Sequence, residues 1–130
     1  MFQTILFAID ITREARSAAE VVADLVKIHN SKLVILSVVE TSAEGVMSST
    51  EQVAKLLTSA KSFLSDRGIN AETIEKEGMP PFVICDVADE INADLIVMGC
   101  RGLGLVEDSA SDSVTIRVIN LAPCPVLVVP

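Results

Sequence analysis

The segment MGCRGLG, Met98 to Gly104, follows an apolar run, and Gly99, Gly102 and Gly104 make it the kind of turn whose backbone can close around a phosphate. Nine residues, Leu103 to Ser111, separate Gly102 from the pair Asp112-Ser113, and they include the acids Glu107 and Asp108. Asp10, just after the first apolar run, is a further polar group at the same end of a strand. The chemistry these residues suggest is phosphate or nucleotide binding, opposed by carboxylates where an anion would sit. Several standard sites do not fit. Gly102-Leu-Gly104-Leu-Val-Glu107 lacks the third glycine of a dinucleotide fingerprint and follows the fourth apolar run instead of the first. No P-loop is present. Ile11-Thr-Arg-Glu14 does not supply a flavin-phosphate turn, and Asp10 alone does not make a phosphoacceptor site. Catalytic groups are sparse. The single histidine, His29, lies at a predicted helix end on the far side of the sheet and reads as a solvated cation. No Ser–His or Cys–His pairing is in view, so the chain is not expected to be an enzyme. Cys100, within the glycine turn, reads as a small loop residue in preference to a redox switch.

Four nearly continuous runs of Val, Ile and Leu must position these residues: Thr4–Ile9, Leu33–Val39, Leu95–Gly99 and Val126–Val129. Runs of this kind mark strands covered on both faces of a parallel sheet. A fifth, Asn70–Lys76, alternates and is more polar, as an edge strand would be. Helical spacing lies between them. Ala15, Ala18, Val22, Leu25 and Val26 follow Thr12 and stop near Asn30. Val53, Leu57, Ala60 and Leu64 follow a capping-box pattern at Ser48–Glu51 and stop at Gly68. Ile84, Val87, Ala88 and Ile91 follow Pro80-Pro81. Val114, Val118 and Leu121 give a last helix over 113–121, all three facing inward and ending before Pro123. Strict β–α alternation predicts an α/β fold, one doubly wound domain over residues 1–130 with helices on both faces of the sheet. Ligands in such folds bind beyond the C-terminal strand ends, where the strand order reverses.

Composition narrows the partners. Eighteen acidic against ten basic residues give a net charge of −8, which disfavours nucleic acid and anionic membrane surfaces. Tyr and Trp are absent, so base-stacking platforms are missing. No apolar run is long enough to cross a membrane. Three cysteines without a C-x-x-C pair fit a reducing compartment, and a cytoplasmic location is expected.

The stretches ILFAIDIT, LVILSVVE, GMPPFVICDVADEINADLIVMGCRGLG and VINLAPCPVLVVP occur in that order. Together they resemble the universal stress protein family, over essentially the whole chain. The second stretch has Ser37-Val38 where the family usually has His-Val. The resemblance implies an adenine nucleotide alpha-hydrolase-like fold, a five-stranded parallel sheet of order 3-2-1-4-5. It also implies a homodimer through the C-terminal strand, Val126–Val129, whose apolar edge would invite association on its own account. Some members bind ATP with a G-x-x-G-x9-G-[ST] motif. Its glycine amides and hydroxyl hold the phosphates, the Asp after the first strand lies near ribose and metal, and a Val at the second strand's end lies against adenine. Asp10, Val38, Gly99, Gly102 and Ser113 match this pattern, with Arg101 and Val114 beside them. The motif's third glycine is Asp112.

An acid at a predicted helix start can accept the free amides itself, which as an N-cap is typically worth about 1 kcal/mol. Repulsion of a phosphate about 4 Å away would add on the order of 1 to 4 kcal/mol, up to about three decades of affinity. Against this, Arg101 could neutralise a phosphate, and magnesium bound with the nucleotide could turn Asp10 and the acids into ligands. Two readings follow: a cytosolic homodimeric stress-response module with a degenerate pocket and weakened or lost ATP binding, or a working ATP- or AMP-binding protein with slow or no hydrolysis. AMP, lacking a long phosphate tail, is compatible with the adenine side of the site. A third reading is an interaction scaffold with no small ligand.

Overall fold

The computed structural model describes residues 2–9, 15–39, 50–99 and 110–130. Five strands, β1 (Thr4–Ile9), β2 (Lys32–Val39), β3 (Ala71–Glu77), β4 (Leu95–Gly99) and β5 (Val126–Val129), alternate with four helices. These are α1 (Ala15–His29), α2 (Thr50–Ser65), α3 (Pro80–Glu90) and α4 (Ala110–Leu121). All strand pairs are parallel, and the order is β3-β2-β1-β4-β5.

The continuous apolar runs have a direct physical reason. Alternate side chains of one strand point to opposite faces, and here both faces are dry. Ile5, Phe7 and Ile9 of β1 and Leu33, Ile35 and Val39 of β2 pack with Ala18 and Val22 of α1 and Val53 and Leu64 of α2. Their neighbours Leu6, Ala8, Leu36 and Val38 pack on the other face with Ile84, Val87 and Ala88 of α3 and Val118 of α4. Each fully buried aliphatic side chain contributes roughly 1.5–3 kcal/mol relative to exposure. The polar strand β3 is an edge, as expected, and its exposed Glu72, Thr73 and Glu75 discourage further pairing.

Helix ends follow from local chemistry. Asn30 and Asn92 take left-handed backbone after α1 and α3 (φ 53° and 55°), as Gly68 does beyond α2 (φ 78°). Pro80 and Pro81 open α3, where their missing N–H groups cost nothing. Among the described residues, no helix is long and apolar enough to cross a membrane.

Two sequence expectations for α4 need correction. The helix opens at Ala110, three residues before Ser113, so Asp112 is inside the first turn and not on the cap position. Leu121 is 50% exposed and does not face inward. The inward stripe is instead buried Val118 flanked by half-buried Val114 and Ala122, spaced four apart, with the Ala122 amide bonded to the Val118 carbonyl at 2.9 Å. Leu121 falls beside that stripe. The expected capping box at Ser48 also lies partly outside the described residues, and α2 opens at Thr50 with Glu51 in its first turn.

Candidate functional site

The strand order makes the boundary between β1 and β4 the switch point: from β1 the chain winds outward to β2 and β3, and from β4 it winds the other way to β5. Among the described residues, β1 and β4 pair from Ile5↔Leu95 to Ala8↔Met98. Beyond that level Ile9 is matched with Ser37 of β2, while Gly99 is matched with Val129 of β5. In such a sheet the crevice for a ligand lies beyond the C-terminal ends of the two strands at the switch point. Gly99 ends β4 with no side chain on the crevice rim.

Val38 is the seventh of eight residues in β2, and its buried side chain lies on the α3/α4 face with Ala8, Leu36 and Met98. Val114, half-buried in α4, packs against the same cluster. The fold therefore brings Val38, Gly99, Val114 and the first turn of α4 to one rim. Asp112 and Ser113 belong to that first turn by their backbone, and their side chains lie outside the described residues. Asp10, Arg101 and Gly102 also lie outside them, as does Cys100. The first turn of a helix carries unpaired amides and the positive end of the helix dipole, which suits an anion. A carboxylate within that turn complements the same dipole.

Two hydrogen bonds of this rim were not foreseen by the motif reading. Ser37, buried on the α1/α2 face, donates its hydroxyl to the Ile9 carbonyl at 3.2 Å. The Gly78 amide bonds the Val39 carbonyl at 2.9 Å and so ties the start of α3 to the exit of β2. Gly78 has φ 147°, and an added Cβ would lie 2.8 Å from Val83 Cγ2, so this turn requires glycine.

The opposite rim is built for structure. Asp94 Oδ2 accepts the amides of Gln3 (3.0 Å) and Thr4 (2.9 Å), and the Asp94 amide bonds the Thr4 carbonyl at 2.8 Å. Ser31 Oγ donates to the Phe2 carbonyl, and His29 meets the Phe2 ring edge-on at 5.2 Å. His29 thus ends α1 on the rim away from the crevice, as its sequence position predicts. The two described thiols, Cys85 and Cys124, are held toward the protonated form. Burial pushes the Cys85 thiol up, helped by Asp86 and by Cys124, and burial with the nearby Asp94 pushes Cys124 up against a backbone hydrogen bond at Ile96. Both are free. Among the described residues, no cluster of His, Cys, Asp or Glu has the makings of a metal site. A trough of about 540 Å³ lies between α2 (Thr58, Lys61, Ser62) and β3 (Thr73, Glu75). It flanks the sheet edge two strands from the switch point and offers no glycine-rich backbone.

A doubly wound sheet with this order defines a class of parallel α/β domains. The sequence model of the Universal stress protein family matches residues 1–130. A universal stress protein of Synechocystis sp. is 62% identical over 136 residues, covering 100% of this chain and 87% of its own length. The universal stress protein UspA structure from Lactobacillus plantarum superposes with a TM-score of 0.83 at 26% identity, covering 99% of this chain and 98% of that one. The universal stress protein structure from Archaeoglobus fulgidus in complex with dAMP has a TM-score of 0.76 at 25% identity, covering 99% and 98%. The chain belongs to the universal stress protein family.

Proposed function

We propose that this protein is a cytoplasmic, homodimeric stress-response module, one domain over residues 1–130, that works by binding an adenine nucleotide and not by catalysis. Its pocket is the crevice between β1 and β4. Val38 lies on the adenine side, and Asp10, Gly99, Arg101, Gly102, Ser113 and Val114 surround ribose and phosphate. Asp112 makes the phosphate end degenerate, so AMP is favoured and ATP binding is weakened. The observation that carries this reading is the position of Asp112 inside the first turn of α4. A carboxylate carried on that turn would compete for the helix amides that a phosphate chain would use. The dAMP bound by the Archaeoglobus relative supports an adenine monophosphate as ligand. Magnesium would enter only with a nucleotide, between Asp10 and the phosphates. Free thiols at Cys85 and Cys124 suit the reducing cytosol.

Calorimetry with AMP and with Mg-ATP on the wild type and Asp112→Gly tests the pocket. The wild type is expected to bind AMP at least tenfold more tightly than Mg-ATP. Removing one unit charge about 4 Å from a phosphate should recover roughly one to three decades of ATP affinity. Equal micromolar binding of both nucleotides by the wild type would refute a closed phosphate end.

For the dimer, β5 is an apolar edge strand with all four residues half-buried. Beside it α4 exposes Ile116 (58%) and Ile119 (53%). Leu127 is a poor probe of the interface because it packs on this chain's own core. Ile119→Glu is the cleaner variant: light scattering should show it shifted to monomer, and an unchanged dimer mass would remove α4 from the interface.

A further inference from the structure

The trough between α2 and β3 has an ordered chemistry of its own. Strands β2 and β3 are parallel, so the helix between them runs back against the strand direction. The Ile69 amide bonds the Leu64 carbonyl at 3.0 Å, which sets the end of α2 beside the start of β3. A strand rises about 3.3 Å per residue and a helix about 1.5 Å, so two strand residues span roughly four helix residues. Counting back from there, Thr73 stands level with Lys61, and Glu75 with Leu57 and Thr58. Along the trough the charges therefore run Asp66, Lys61, Glu75: acid, base, acid. Glu72, on the other face of β3, is instead paired with Lys32 at 3.2 Å. Arg67, the cation beside Asp66 in the chain, is held over the Phe63 ring at 3.7 Å.

The two ends of the trough differ. Ser62 and Ser65 give the Asp66 end hydroxyls, whereas Ala54 and Leu57 give the Glu75 end an apolar floor. At that second end Thr58 donates its hydroxyl to the Ala54 carbonyl at 2.9 Å, so its oxygen meets a ligand as an acceptor. The matching ligand has an anion between two cations, a polar head at one end and an aliphatic stem leading to the second cation. A basic α-amino acid has this pattern. The volume, about 540 Å³, lies within the range of roughly 300–1,000 Å³ usual for small-ligand sites.

We propose that this trough is a second ligand site, for a free basic α-amino acid. Lys61 takes the α-carboxylate, and Asp66 with the serine hydroxyls takes the α-ammonium. The stem lies over Leu57, and Glu75 takes the side-chain cation. The site stands apart from the crevice between β1 and β4, so its test uses no nucleotide.

The isotope-labelled full chain is titrated with L-lysine, with norleucine, which lacks the side-chain ammonium, and with 1,5-diaminopentane, which lacks the carboxylate. L-lysine should move the amides of Lys61, Ser62, Thr73 and Glu75 saturably and bind about fivefold more tightly than either analogue, the scale of one exposed ion pair. Glu75→Gln should bring lysine down to the affinity of norleucine and leave norleucine unchanged. Lys61→Met should weaken lysine about fivefold without weakening the diamine. Both side chains are exposed, so the variants should keep the fold, which unmoved core amides would verify. No saturable movement in the trough overturns the proposal. So does lysine binding no tighter than norleucine, or no tighter than the diamine, or equally well to Glu75→Gln.

Discussion

At the N-terminal rim of the sheet, Asp94, Ser31 and His29 are each committed to a partner inside the chain: two backbone amides, a backbone carbonyl and the Phe2 ring. At the C-terminal rim, the described bonds run only at the strand exits, from Ser37 to Ile9 and from Gly78 to Val39. Beyond those exits stand Gly99 and the opening turn of α4, whose backbone groups suit a ligand. One sheet thus uses the same kinds of residue in two ways. A carboxylate at the first rim closes the fold, whereas the role we propose for one at the second, Asp112, is to adjust what the crevice accepts.

The comparison can be broken first at Asp94. Asp94→Ala leaves two amides at the β1 entrance without their charged acceptor, and a loss of about 2 to 3 kcal/mol is expected in chemical denaturation. AMP affinity should stay unchanged at temperatures where the variant is folded. A change in affinity without a change in stability would erase the distinction between the rims. Gly78→Ala is the next largest. Its positive φ and the 2.8 Å approach to Val83 predict a cost of about 1 to 3 kcal/mol. Because Gly78 is bonded to Val39, this variant should also weaken AMP binding, which Asp94→Ala should not.

The smallest effect concerns pH. Burial raises Cys85 and Cys124 above the ordinary thiol value, so the folded chain holds these protons more tightly than the unfolded chain. Their contribution to stability is full below the unfolded thiol value and is lost as pH rises through the folded one. Urea midpoints should therefore decline slightly above pH 9, and both thiols should react with Ellman's reagent at pH 8 more slowly than free cysteine. Fast reaction of both would contradict their burial.

Much of this architecture was legible in the chain, and the exceptions have physical causes. Strands β1, β2, β4 and β5 were readable because a parallel strand covered on both faces has nowhere to put a polar residue. The edge position of β3 showed in its alternation of acids and small residues. The start of α4 was misplaced because Asp112-Ser113 looks like a cap, while the helix begins at Ala110 on residues with no such mark. Its inner stripe was misjudged at the last turn, where Ala122 takes the place expected for Leu121. Asp94 could not be assigned to β1, since its two amide partners are 90 and 91 residues away. Ser37 was visible as a hydroxyl in an aliphatic strand, but its partner depends on strand register. At the site itself, Val38 and Val114 belong to one core cluster and Gly99 ends β4, while Asp10, Arg101, Gly102 and Cys100 lie outside the described residues.

The contrast between the rims has one direct measurement: titration of the isotope-labelled protein with AMP, followed by amide chemical shifts across the sheet. The expected result is saturable movement of Val38, Gly99, Ser113 and Val114, with Gln3, Ser31 and Asp94 unmoved. Movement centred on Gln3, Ser31 and Asp94, or no saturable movement at either rim, would contradict it.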